Sequence, residues 1–151
     1  MKFLFMIFML MCTCTTAQRL NVRQIHQIGL HTFDELDKLM VNQHKFKRVE
    51  DVEDDNQRVY TNDSDQLDQL LVVTVIRDLK GCANVLSIVD KSAANVFQLK
   101  KDLPQEGFVY MGKKKMSEEL IVSQFQNGKV HILLSDTITS AGAYQILLMC
   151  R

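Results

Sequence analysis

Four cysteines and four histidines are the residues of this chain whose types and spacing could carry chemistry: Cys12, Cys14, Cys82 and Cys150, with His26, His31, His44 and His131. A protein metal site needs such ligands at turn or helix-face spacing, as in His-Glu-x-x-His or Cys-x-x-Cys. The chain has neither. His26 and His31 stand five apart and do not share a helical face. No Gly-x-Ser-x-Gly elbow, glycine-rich phosphate loop or Ser-x-x-Lys run occurs either. The expectation is therefore no metal, no cofactor and no catalytic residue. A reactive Cys82 thiol with His131 as its base is the one nucleophile–base combination to weigh, and no protease signature surrounds Cys82.

Cys12 and Cys14 stand beside "MKFLFMIFML", one cation at Lys2 followed by an apolar run to Met11. A charged start, a short greasy stretch and small residues at Thr15 and Ala17 are the pattern of a secretory signal peptide, cut before Gln18. The run is shorter than the roughly 20 apolar residues of a membrane span, and no later segment reaches that length without a charge. A lipid anchor needs a small residue before the cysteine. Met11 before Cys12 argues against one, while Thr13 before Cys14 leaves an opening. The expected division is a signal peptide at 1–17 and one domain at 18–151, exported to the periplasm or beyond the cell.

Export into an oxidising compartment leaves Cys82 and Cys150, whose simplest fate is one disulfide. Closing that loop stabilises by about 4 kcal/mol in the chain-entropy model, and the bond would pin the C-terminal edge. Two buried free thiols are the alternative. Net charge is zero, so no general attraction to nucleic acid or anionic lipid follows. One proline and six glycines leave no linker for a second tethered domain.

The elements that must position these residues read as follows. "TFDELDKLMVNQHKF" is expected to be a helix, with Thr32 and Glu35 as capping box and Phe33, Leu36, Leu39 and Met40 on one face. Strands follow near 46–49, 58–62, 70–78 and 84–90. The plan then restarts. A helix over 92–103 carries Ala93, Val96, Phe97, Leu99 and Leu103, and Pro104 and Gly107 end it. Strands follow at 108–114, on both sides of Asn127-Gly128, and at 143–150. That dipeptide predicts a type I′ turn, with positive φ at both residues.

The two halves, about 30–90 and 91–151, match at an offset near 62 residues, which predicts two tandem helix-plus-four-strand repeats. The fold class is α+β: a mostly antiparallel sheet with two helices packed on one face. Its apolar side should include Val73, Val75, Val122, Ile132, Leu134 and Ile146. This order of elements resembles small secreted bacterial proteins built of tandem helix-plus-sheet repeats, and secreted β-lactamase-inhibitor proteins. No motif matches residue by residue, so the resemblance carries over no functional residue.

Charge is uneven along the chain. "EDVEDDNQRVYTNDSDQLD" is acidic and "MGKKKMSEE" basic, at matching hairpins of the two halves. The acidic residues read as solvated turn residues, or as one part of an interaction patch made of Asp54, Asp55, Lys113, Lys114 and Lys115. His131 falls on a strand opposite Val130, Ile132 and Leu134 and reads as a half-buried sheet residue. The function expected is a non-enzymatic protein-binding or inhibitor-like module of unknown partner. A small secreted hydrolase using His131 or an acidic pair is the alternative.

Overall fold

Eight strands, β1 (Lys47–Arg48), β2 (Gln57–Thr61), β3 (Leu71–Arg77), β4 (Asn84–Asp90), β5 (Val109–Lys115), β6 (Ile121–Asn127), β7 (Val130–Ser135) and β8 (Tyr144–Cys150), form one sheet in this computed structural model. The structure describes residues 18–118 and 120–151. The expected signal peptide, with Cys12 and Cys14, lies outside the described residues. The spatial order is β1-β2-β3-β4-β8-β7-β6-β5, and every neighbouring pair is antiparallel. Each half of the chain thus builds a four-stranded meander, and the two meet where β4 pairs with β8. The architecture is α+β, and among the described residues no helix is long and apolar enough to cross a membrane.

The strands form where β-branched and aromatic residues alternate with polar ones, as in "LVVTVIR", whose burial alternates along β3. Chain reversals follow local chemistry. Asp54 takes the amide of Asn56 at 2.8 Å and turns the chain into β2. Between β6 and β7 the expected type I′ turn is corrected. Asn127 pairs with Val130 as the last rung of the ladder, so the loop residues are Gly128 and Lys129. Of these only Gly128 has positive φ, at 57°, the pattern of a type II′ turn with glycine first. At the far edge, β5 shifts register between Tyr110 and Gly112, where Gly112 takes a φ of 102°. Such a bulge kinks an edge strand and hinders pairing with another edge.

The helices differ from expectation in one half. Helix α1 (Val22–Leu30) starts at a capping box in which Asn21 accepts from the Gln24 amide and the Gln24 side chain accepts from the Asn21 amide. The expected capping box at Thr32 does not form. Thr32 makes no side-chain cap, and the chain runs through a 3-10 turn (Phe33–Glu35) into a π-helical segment (Lys38–Gln43). There the His44 amide bonds the Leu39 carbonyl at 2.9 Å. The face read from the sequence holds nonetheless, since Phe33, Leu36, Leu39 and Met40 are all buried. Lys45, with a φ of 58°, stops this segment without a glycine. Helix α2 (Ala93–Asp102) is capped by Ser92, whose hydroxyl accepts from the Asn95 amide at 3.3 Å. Its buried residues are Asn95, Val96 and Leu99, whereas Phe97 is 60% exposed and does not belong to the buried stripe.

Cross-strand register sorts the sheet residues into two faces. Val73, Ile88, Ile146 and Leu134 form one continuous row, and Val75, Leu86, Leu148 and Ile132 the next. All eight are buried at 1% exposure or less. Ile132, Leu134 and Ile146 line a tight apolar site with Val22 and Ile25 of α1 and Leu99 of α2. Val122 is buried but lies on the other face, opposite Ser135, which corrects its expected place. The residue of β6 on the first face is Ser123, opposite Leu134. Its hydroxyl donates to Asp136 at 2.6 Å, so a polar side chain is satisfied where alternation called for an apolar one.

Candidate interaction surface

Cys82, in the β3–β4 turn, and Cys150, at the end of β8, are joined, with Cα atoms 5.1 Å apart. The bond does not clamp an edge as expected, because β8 lies inside the sheet between β4 and β7. It fastens the last residue but one to a loop of the other meander. Cys82 is therefore not a free thiol, and His131 has Gln126 and Met149 as its cross-strand neighbours.

The charged residues singled out in the sequence are not brought together. Asp54 and Asp55 sit in the turn before β2, near the β1 edge, whereas Lys113, Lys114 and Lys115 belong to β5, the opposite edge. Part of the acidic stretch is structural. Glu53 has a side chain only 6% exposed and accepts from Arg48 Nη2 at 2.7 Å and from the Val59 amide at 2.8 Å. Burial alone would raise its carboxyl, but these donors hold it below its ordinary value. Arg48 also bonds Asp37 at 2.6 Å, and Asp37 accepts from Tyr60 Oη at 2.7 Å. Burial, and then Asp37 beside it, push the Tyr60 hydroxyl well up. This knot ties the π-helical segment to β1 and β2.

A second carboxylate cluster sits beside α2. Asp136 accepts from Lys100 Nζ at 2.5 Å and Ser123 Oγ at 2.6 Å, and lies 3.1 Å from Lys113 Nζ. Burial opposes ionisation, but these three donors bring its carboxyl down to about 2. A carboxylate held that low stays an anion at neutral pH and is ill suited to proton transfer. It links α2, β5, β6 and the end of β7, at the rim of an open cleft of about 410 Å³ bounded by Ala93, Phe97 and Tyr144. Among the described residues no group of three or more His, Cys, Asp or Glu could hold a metal.

The second face of the sheet is unlike either cluster. Its first row runs Thr61, Val72, Val89, Gln145, Ser135 and Val122 across β2, β3, β4, β8, β7 and β6. The middle row is Val59, Thr74, Ser87, Leu147, Leu133 and Gln124. The third is Gln57, Ile76, Val85, Met149, His131 and Gln126. None of these eighteen positions holds Asp, Glu, Lys or Arg. With charged residues at 24% of the chain, composition alone would put about four there. Nine are apolar; Ile76 and Val89 are 38% and 37% exposed, whereas Val59, Val122, Leu133 and Ser135 are buried and the rest half-buried. Lys47, opposite Thr61, and Lys114, opposite Val122, stand at the two ends of the first row.

This face went unseen in the sequence because each strand contributes only three residues, none unusual by itself. The signal is their accumulation across six strands, which needs the register. No family model, curated protein or solved structure matches the chain in comparisons with known proteins.

Proposed function

We propose that the chain is an exported, non-enzymatic protein-binding module whose contact surface is the neutral face of its sheet. The carrying observation is that on one face of six neighbouring strands no formal charge occurs, even at the fourteen of eighteen positions that are not buried. A solvated antiparallel sheet ordinarily alternates buried apolar with charged or polar residues. Depletion of charge, with valine, leucine and methionine among neutral polar groups, is instead the composition of an interface centre.

The other face has its own cover. The apolar site shared by Val22, Ile25, Leu99, Ile132, Leu134 and Ile146 supports both helices lying there, on the face opposite the neutral one. Two meanders joined at β4 and β8 support a tandem repeat, which would double a contact face. The charged, then apolar start of the chain and the Cys82–Cys150 bond support export.

Site-specific photo-crosslinking in the native host tests this reading. A photoreactive residue at Gln124, on the neutral face, should give an adduct heavier than the chain, and one at Gln27, on exposed α1 surface, should not. Equal adducts at both positions, or none at Gln124, would overturn it.

A further inference from the structure

We infer that Asn127 is a site of spontaneous covalent modification in the folded protein, converted to aspartate and isoaspartate through a cyclic imide formed with the Gly128 nitrogen. The inference does not depend on the contact-surface reading above. Of the seven asparagines in the chain, Asn127 is the one followed by glycine. A side chain on residue 128 would crowd the attacking nitrogen, and glycine has none. The Gly128 nitrogen gives its proton to hydroxide and attacks Asn127 Cγ. The new nitrogen–Cγ bond closes a five-membered ring, the Cγ–Nδ2 bond breaks, and the side-chain nitrogen leaves as ammonia with a proton from water. Water then opens the ring at one of its two carbonyls, which leaves either the normal or the side-chain-linked peptide. No oxidant or reductant takes part.

The fold leaves this pair open to the reaction. Asn127, Gly128 and Lys129 are all exposed, and a Cβ placed on Gly128 would meet nothing within 4 Å. Gly128 is a loop residue, outside the ladder that ends at the Asn127–Val130 rung. Ring closure turns the peptide after Asn127 out of that rung, which adjoins the exposed turn, where local opening costs least. The Asn127 amide is lightly held: Nδ2 donates to the Glu106 carbonyl at 3.5 Å, the far limit of a hydrogen bond. Asparagines elsewhere are gripped. Asn62 Nδ2 donates to the Gln69 carbonyl at 2.8 Å, Asn84 Nδ2 to the His31 carbonyl at 2.7 Å, and Asn95 Nδ2 to Asp90 at 2.5 Å. The product changes the turn. A carboxylate at 127 faces the Glu106 carbonyl with no proton to give, and isoaspartate adds a methylene to the main chain between β6 and β7. The tie from this hairpin to the Pro104–Glu106 turn is lost, and the molecule becomes one charge more negative.

The test keeps protein purified after expression of the full chain folded at about pH 8 and 37 °C for about four weeks. Isoelectric focusing follows the charge, and peptide mass spectrometry with fragmentation separates aspartate from isoaspartate. The expected result is a growing acidic band, with amide loss at Asn127 at least tenfold faster than at any other asparagine and isoaspartate among the products. Asn127→Gln, whose longer side chain would have to close a six-membered ring, should not form that band. Asn127→Asp should run at its position from the start. No acidic band, or amide loss spread evenly over the asparagines, would overturn the inference. Aspartate without isoaspartate would overturn the cyclic intermediate. A reaction confined to protein unfolded in urea would also overturn it, because the folded turn would then protect Asn127.

Discussion

Leu148 of β8 presses directly on the backbone of α1 at Gly29: a Cβ placed on that glycine would lie 2.6 Å from Leu148 Cδ2. Both residues are buried, Leu148 completely. Alanine at 29 should favour the helix by up to about 1 kcal/mol, yet overpacking a filled core costs about 1–3 kcal/mol. Gly29→Ala is therefore expected to destabilise by about 1 kcal/mol in urea denaturation. In a Leu148→Ala background the same change should be neutral or stabilising. Additive effects of the two substitutions would mean that the contact does not exist.

Leu147 and Leu148 are adjacent in sequence but face opposite ways, and their substitution costs should diverge. Leu148→Ala empties a fully buried site and should cost about 2–5 kcal/mol. Leu147→Ala, on the half-buried neutral face, should cost about 1 kcal/mol or less when measured in dilute solution. Equal losses would show the register of β8 to be wrong.

Strand existence was legible in the sequence because β-branched runs and polar turns are local signals, and all eight expected strands form. The failures have non-local causes. Val122 looks like a core residue in "IVSQFQ" until the Asp136 carboxylate, thirteen residues beyond Ser123, accepts its hydroxyl and lets serine face inward. Lys45 ends the π-helical segment in a left-handed conformation that no glycine announces. The Asn21–Gln24 box, by contrast, was present as Asn-x-x-Gln and could have been found. The disulfide followed from counting cysteines, but the interior position of β8 did not, since strand order between the halves leaves no local trace.

Acid stability should depend on Asp136. Its carboxyl is brought from an ordinary 3.8 down to about 2, so its contribution is complete above pH 4 and is lost as pH falls from about 4 through 2. The depression corresponds to about 2 kcal/mol, most of it from Lys100 and Ser123, whose bonds to the carboxylate are partly buried. Asp136→Asn is expected to be less stable than the parent by about that amount at pH 7 and to converge with it near pH 2. Thermal unfolding across that range checks this. A difference that stayed constant with pH would mean that the charge of Asp136 is not what holds α2 to the sheet.

Buried Asp90 should act with the opposite sign. Burial raises its carboxyl, despite bonds from Asn95 Nδ2 at 2.5 Å and the Ser92 amide at 2.8 Å. A raised carboxyl weakens the fold as pH climbs from below its ordinary value through the raised one. Nuclear magnetic resonance titration should find Asp136 losing its proton at lower pH than Asp90. Asp90 ionising ahead of Asp136 would contradict the burial of the β4 end.

The Cys82–Cys150 bond closes 68 residues and joins the end of β8 to the turn that leads into β4, its own sheet neighbour. Because β4 and β8 already pair over Leu86 to Asp90, the bond's main effect should be on the unfolded chain, which loses the freedom of that loop. The chain-entropy estimate is about 4 kcal/mol, an upper figure because the unfolded state retains structure. Cys150→Ser should therefore lower the melting temperature under oxidising conditions and change it much less with reductant present, where the parent also lacks the bond. Hydrogen exchange should show the loss concentrated at the C-terminal end of β8, near Arg151, whose amide bonds the Lys129 carbonyl at 3.0 Å. An equal drop with and without reductant would mean that Cys150 stabilises by its packing alone, with the bond adding nothing.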